Sequence, residues 1–216
     1  MRWIDLAHPY QEGMTHPPVA GPPCIETVLQ VGRDPYNLQR FTFVTHLGTH
    51  VDAPLHFVSG GRTIDSYDLG ELGGTGWVLR VEKAPNQPIT VSDLEATGAQ
   101  VERDQIVLIA TGWDAKFATD DYHTHPYLSE EAARWLLDRR VKLVGVDCFS
   151  ADMPVPLRPK GFDWPVHHLL LGHGILIAEN LANLTAVAGR KLLIGAFPLK
   201  IRGGDGAPAR IFAVEE

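Results

Sequence analysis

Two cysteines in 216 residues, Cys24 and Cys148, are too few and too far apart to make a disulfide framework. The simplest compartment is a reducing cytoplasm, with both thiols free and buried and neither of them a metal ligand. Long apolar runs are missing too, and no stretch approaches the length needed to cross a bilayer. The start, Met1-Arg2-Trp3-Ile4-Asp5-Leu6-Ala7-His8-Pro9, holds no apolar run and meets a proline early, unlike a secretory signal. Basic charge is scarce. Lys plus Arg is 19 against 26 Asp plus Glu, a formal net charge of -7, which argues against nucleic acid or an anionic membrane as the main partner. The glycine-rich stretch from Gly60 to Gly76 carries neither a G-x-G-x-x-G nor a P-loop spacing, so no nucleotide site is expected there. No repeat, low-complexity tract or change of composition divides the chain. Residues 1–216 read as one domain of ordinary globular composition.

What the chain does have is histidine. Three of the ten fall within eleven residues, in Thr45-His46-Leu47-Gly48-Thr49-His50-Val51-Asp52-Ala53-Pro54-Leu55-His56. The lead-in, Gln39 to Val44, alternates as a half-buried strand does. If the extended geometry continues, His46, Gly48, His50 and Asp52 share one face, with Gly48 leaving space for an ion. A helix would also pair His46 with His50. It would swing Asp52 away, and Gly48, Thr49, Val51 and Pro54 all oppose it. Pro54 breaks the alternation, so His56 need not face the same ion. An imidazole beside a metal-bound water can carry a proton, since its ordinary pKa is about 6.5. A fifth ligand or a structural histidine is the plainer alternative.

Further strands are expected at Trp3–Leu6, Trp77–Glu82, Gln105–Thr111, Lys142–Asp147, Leu192–Phe197 and Arg210–Val214. Ser92-Asp93-Leu94-Glu95 has capping-box spacing for a short helix ending near Gly98. Ser129 opens a helix through Arg140, acidic at its start and basic at its end. A helix followed at once by a strand gives an α/β domain with a mixed sheet. A second source of donors lies between Asp163 and Leu181, where Asp163 can cap a helix with Pro165 in its first turn. Ile175 to Ala178 then reads as a buried strand ended by Glu179, a carboxylate that is costly there unless solvated, paired or bound to a cation. Spacing does not choose among His167, His168 and His173. Asp147 and Asp152, after a strand, either orient ligating imidazoles or serve as solvated or capping carboxylates. Thr111-Gly112-Trp113-Asp114 lines a pocket or packs a strand end, and His123 and His125 read as surface histidines in a polar loop. The proline-rich loop with Met14, His16 and Cys24 is stiff, and is either a pocket wall or a surface connection.

His46-Leu47-Gly48-Thr49-His50-Val51-Asp52-Ala53-Pro54-Leu55-His56 resembles the H-x-G-T-H-x-D-x-P-x-H signature of the metal-dependent cyclase family, which includes bacterial kynurenine formamidase (arylformamidase) and isatin hydrolase. Thr111-Gly112-Trp113, Gly145-Val146-Asp147 with Ser150 and Asp152, and the stretch from His167 to Glu179-Asn180-Leu181 extend the resemblance over most of the chain. It implies an α/β fold with a mixed, barrel-like sheet flanked by helices, of the swivelling β/β/α type, assembled as homodimers or homotetramers. It also implies metal ligation by His46, His50, Asp52, His167 and Glu179, with Asp52 and Glu179 bridging when two ions are bound, and His56 as proton donor and acceptor. In the formamidases a tryptophan in the early proline-rich loop contacts the aromatic substrate; here His16 stands at the matching place.

The expected activity is metal-assisted hydrolysis of a small amide C–N bond. N-formylkynurenine, in tryptophan catabolism, is the leading substrate by resemblance, followed by a cyclic amide such as isatin. Imidazole and carboxylate donors suit one or two Zn2+ ions, and Mn2+ is credible. A non-haem iron oxygenase would need only two histidines and one carboxylate, leaving His46 and Glu179 without work. A binding protein that keeps the metal without catalysis would not need His56.

Overall fold

The computed structural model describes residues 1–215. Its strands are β1 (Arg2–Asp5), β2 (Cys24–Leu29), β3 (Leu38–Thr42), β4 (His50–Asp52), β5 (Gly73–Arg80), β6 (Pro88–Ile89), β7 (Ile106–Ala110), β8 (Tyr127–Leu128), β9 (Leu143–Val146), β10 (Leu176–Glu179), β11 (Arg190–Pro198) and β12 (Gly206–Glu215). Its helices are α1 (Leu69–Leu72), α2 (Val91–Ala96), α3 (Glu130–Asp138) and α4 (Pro165–Gly172). β7 and β9 are buried along their whole length, as apolar runs are when both faces of a parallel sheet are covered. β5, β7, β9 and β10 lie side by side in parallel. β4 pairs antiparallel with β10 on one edge and with β12 on the other. β12, β11 and β5 complete the ring, so seven strands close on themselves, with β1 outside on β12. The result is the mixed, barrel-like α/β fold expected from the sequence.

Side-chain alternation divides the apolar residues between two cores. Ile106, Leu108 and Ala110 of β7 point into the barrel with Val51, Leu143, Leu176 and Ala178. Val107 and Ile109 point outward with Val144 and Ile177, under Leu94 of α2, Ala132 and Leu136 of α3 and Leu170 of α4. Each large aliphatic side chain taken from water contributes about 1.5–3 kcal/mol. The outer core therefore fixes the helices against the sheet face that carries the candidate site.

Four local expectations change. The box on α2 joins Thr90 and Asp93, each side chain accepting from the other's backbone N–H, so the helix starts ahead of Ser92. β3 pairs with β2 in a separate two-stranded ribbon and is exposed at every residue, so its alternation serves no core. Cys24 lies on that ribbon and is exposed, whereas Cys148 is buried. Asp163 does not cap α4. The N–H groups of Val166 and His167 donate to Asp152, brought in from the loop after β9.

Candidate metal centre

On β4, Val51 enters the barrel, so His50 and Asp52 must face outward. On β10, Leu176 and Ala178 face in, which sends Glu179 outward as well. The antiparallel register sets Glu179 directly opposite His50 and Ile177 opposite Asp52. Opposed residues on one face lie within side-chain reach. α4 lies over this face and supplies His167. His46 arrives by a different route from the one its spacing suggests. Residues 45–49 form a bend in place of a strand, with Gly48 at φ +55°, and the bend folds His46 back beside His50. The Met14 side chain covers that bend so closely that a Cβ on Gly48 would lie 2.5 Å from Met14 Cε. Gly206, the β12 neighbour of Asp52, makes room for the His46 ring, since a Cβ there would lie 2.6 Å from His46 Cε1.

The donor atoms of His46, His50 and Asp52 fall within 4.8 Å of one another, and so do those of Asp52, His167 and Glu179. Asp52 belongs to both groups. Its Oδ1 lies 2.6 Å from His46 Nδ1 and 3.2 Å from His50 Nε2, and its Oδ2 lies 3.6 Å from His167 Nε2. Glu179 closes the far side, with Oε1 3.2 Å from His167 Nε2 and Oε2 3.8 Å from His50 Nε2. Two rings have their other nitrogen tied. His50 Nδ1 donates to Gly48 O at 2.8 Å, and His167 Nδ1 donates to Asp152 Oδ2 at 2.6 Å. That turns both Nε2 atoms toward Asp52 and Glu179, where each could give its lone pair to an ion in place of a proton. Asp152 thus caps α4 and orients His167 at once, joining the two roles that the sequence left as alternatives. The two motifs are also stitched together, because Thr49 Oγ1 donates to Asn180 O at 2.5 Å.

The fit to a cation rests on Asp52. It is 0% exposed, and its Oδ2 is a buried oxygen with no hydrogen-bond partner among the described residues. A buried carboxylate with an unmatched oxygen costs several kcal/mol unless a cation meets it. The surrounding imidazoles and Glu179 are the donor types that bind zinc or manganese. Burial opposes the Asp52 charge, but His50, His46 and His167 outweigh it and hold its pKa well below the usual carboxylate range.

His56 stacks on His46 with ring centroids 3.7 Å apart. Burial pulls its pKa below the ordinary value, with the His46 and His167 charges adding to the fall against the pull of Asp52 and Asp205. Asp205 is the residue that sequence reasoning missed. Its Oδ2 lies 3.0 Å from His46 Nε2 and 3.5 Å from His56 Nδ1, and its Oδ1 accepts from Thr45 Oγ1 at 2.9 Å. The flanking glycines in Gly203-Gly204-Asp205-Gly206 were its one local signal. His16 forms no hydrogen bond with these residues; its Nδ1 lies 3.2 Å from Met14 O, in the loop that covers Gly48. His168 and His173 stay outside the group: His168 packs on Phe57, and His173 donates to Leu169 O. Asp147 accepts from the N–H groups of Thr111 and Gly112, tying β7 to β9, and Trp113 is buried with Nε1 donating to Tyr122 O. A cavity of about 510 Å3 lies elsewhere, lined by Tyr10, Phe41, Phe43 and Arg210.

His125, expected at the surface, is buried beside Phe149, with Nδ1 donating to Pro126 O. Burial pushes its pKa down to about 4. The unfolded chain, with a pKa of about 6.5, then binds the proton first, so stability is full above that value and falls as pH drops toward 4. The loss should reach about 3 kcal/mol once protonation is complete. His125→Gln should flatten denaturation free energies measured between pH 7 and about 5. Parallel pH slopes for parent and variant would contradict this.

The family model described as "Putative cyclase" matches residues 4–153. The chain is 31% identical over 216 residues to a kynurenine formamidase of Bacillus mycoides (strain KBAB4), covering 97% of this chain and 95% of the relative. It is 38% identical over 178 residues to a kynurenine formamidase of Salinibacter ruber, covering 81% of this chain and 78% of that one. Among solved structures, one titled a potential metal-dependent hydrolase with cyclase activity superposes with a TM-score of 0.81 at 28% identity, covering 100% of this chain and 99% of the other. Isatin hydrolase A from Ralstonia solanacearum shares the fold, with a TM-score of 0.86 at 24% identity over 100% of this chain and 92% of that one.

Proposed function

The chain belongs to the cyclase family and is a metal-dependent hydrolase of the arylformamidase type, and we propose that its substrate is an N-formylated aromatic amine such as N-formylkynurenine. The observation that carries the metal reading is the buried Asp52 Oδ2, beside His167 Nε2 and without a hydrogen-bond partner among the described residues. His46, His50 and Asp52 would hold one ion, and Asp52, His167 and Glu179 a second, with Zn2+ preferred and Mn2+ the alternative. When bound, the ion polarises the amide carbonyl and lowers the pKa of a water near it. His56 takes a proton from the attacking water and delivers it to the departing amine nitrogen as the C–N bond breaks, giving the aromatic amine and formate. Asp205 fixes the His56 ring for that transfer. We assign His16, in the loop over Gly48, to the substrate side of the site.

An iron oxygenase needs fewer donors than converge here. Residues 1–216 are taken as one domain. No helix among the described residues is long and apolar enough to cross a membrane. The free cysteines suit a reducing cytoplasm. Assembly as a homodimer or homotetramer is supported by the ribbon of β2 and β3, which exposes Leu38 and Phe41 and is marginal as an isolated pair.

The test is direct. Protein loaded with Zn2+ or Mn2+ should release formate from N-formylkynurenine with kcat/KM on the order of 10⁴ M⁻¹s⁻¹ or above. Opening of isatin in its place would move the assignment to cyclic amides. No cleavage of either compound with either metal would overturn it.

A further inference from the structure

Between β9 and α4 the chain runs through Met153-Pro154-Val155-Pro156-Leu157-Arg158-Pro159, a segment that three prolines stiffen. Arg158 is half-buried in it. Its Nε donates to Met153 O at 2.7 Å, and its guanidinium carbon lies 5.1 Å from the ring centres of both Phe162 and Trp164. Those two rings are 5.7 Å apart and form the platform on which the cation rests. Among the described residues no carboxylate lies within ion-pair distance of Arg158. Arg158 is partly withdrawn from water, and its terminal nitrogens, which meet no carboxylate among the described residues, are open to an anion.

The platform continues to the metal centre. Trp164 lies 6.1 Å from Phe57, and Phe57 lies 4.8 Å from the ring of His167 and 4.6 Å from that of His56. Trp164 is held at φ +51°, a left-handed conformation that costs a side-chain-bearing residue about 1–2 kcal/mol. Strain of this kind persists where surrounding contacts impose it, often beside a ligand. Burial lowers the Arg158 pKa while Asp152 and Glu179 act to raise it, which places the cation within electrostatic reach of the metal-centre carboxylates.

The geometry points to Arg158 as a carboxylate-binding subsite, with Phe57 and Trp164 covering the aromatic ring of the same substrate. Arg158 would then be the residue that selects, among aryl formamides, those that carry an acid group. The reaction rests on the hydrolase reading above, whereas the subsite rests on Arg158 and its aromatic platform.

Two measurements separate them. With the metal-loaded protein, N-formylkynurenine, which bears a carboxylate, is compared with formanilide, which has none. The ratio of kcat/KM for acid over neutral substrate should fall about ten- to a hundredfold in Arg158→Gln, through KM of the acid. Arg158→Lys should recover part of it, because charge without the planar fork is the weaker partner. A purely structural role for Arg158 would lower thermal stability and leave the ratio alone, and an unchanged ratio overturns the proposal. Independently, benzoate, an aryl carboxylate with no amide to cleave, is titrated calorimetrically into parent and Arg158→Gln. Weaker binding to the variant supports the subsite, and equal affinity overturns it. If the parent cleaves neither formamide but binds benzoate through Arg158, the hydrolase reading falls and the subsite stands.

Discussion

Replacing Asp52 by alanine is expected to remove bound metal and amide turnover together. Its two oxygens are shared between two donor groups, so a single truncation opens both. Removing a residue that only orients a ligand typically costs 10- to 100-fold in metal affinity, on the order of 1–3 kcal/mol. Loss of a donor common to both groups should exceed the upper end of that range. The variant also leaves His46, His50 and His167 without the carboxylate they face, so a folding control is needed. Asp152→Asn supplies it, since it weakens the anchor of His167 Nδ1 and leaves all five donors present. That variant should stay folded, by circular dichroism and cooperative melting, and lose about 10- to 100-fold in metal affinity. Metal content after dialysis is the readout. A full complement of metal in folded Asp52→Ala would remove the basis of the site.

His56→Ala is expected to keep its metal and lose turnover by about 10²–10⁴-fold, the range usual for a positioned acid or base. The ring stacks on His46 at 3.7 Å and faces Asp205, but it is absent from both groups that contain Asp52. Asp205→Asn should lower turnover by less, because it loosens His56 without deleting it. Metal stoichiometry and amide hydrolysis measured on the same preparation separate the roles. Parent-level turnover by the His56 variant would exclude it as the proton carrier, and loss of metal would make it a ligand.

The reach of sequence reasoning varied along the site for definite reasons. His50 and Asp52 could be placed on one face because the alternation of a strand is a local property. His46 reaches the same place, yet the extended path drawn for it is wrong: the chain turns at Gly48, under Met14, a residue far from the motif's own pattern. Glu179 stood out as a charge ending an apolar strand. That it sits opposite His50 is a matter of register between β10 and β4, which no local pattern records. Asp152 could be given two roles but not its partner, and Asp205 could not be assigned at all, because its meaning comes from imidazoles far along the chain. His125 was misplaced for the same reason, since a polar loop can still be buried by what packs over it.

By itself the sequence determined most strands of the ring and helices α2 to α4, and the family to which the chain belongs, and it offered the side chains that are candidates for a metal. These follow from short-range periodicity and from residue types at fixed spacing. Only the tertiary structure decided how the ring of strands closes through β4, which carboxylates face His167 and His56, and that Arg158, without a carboxylate partner among the described residues, rests on an aromatic platform beside the candidate metal centre. Those arrangements depend on strand register and on contacts between distant segments, and burial fixes them only once the whole chain has packed.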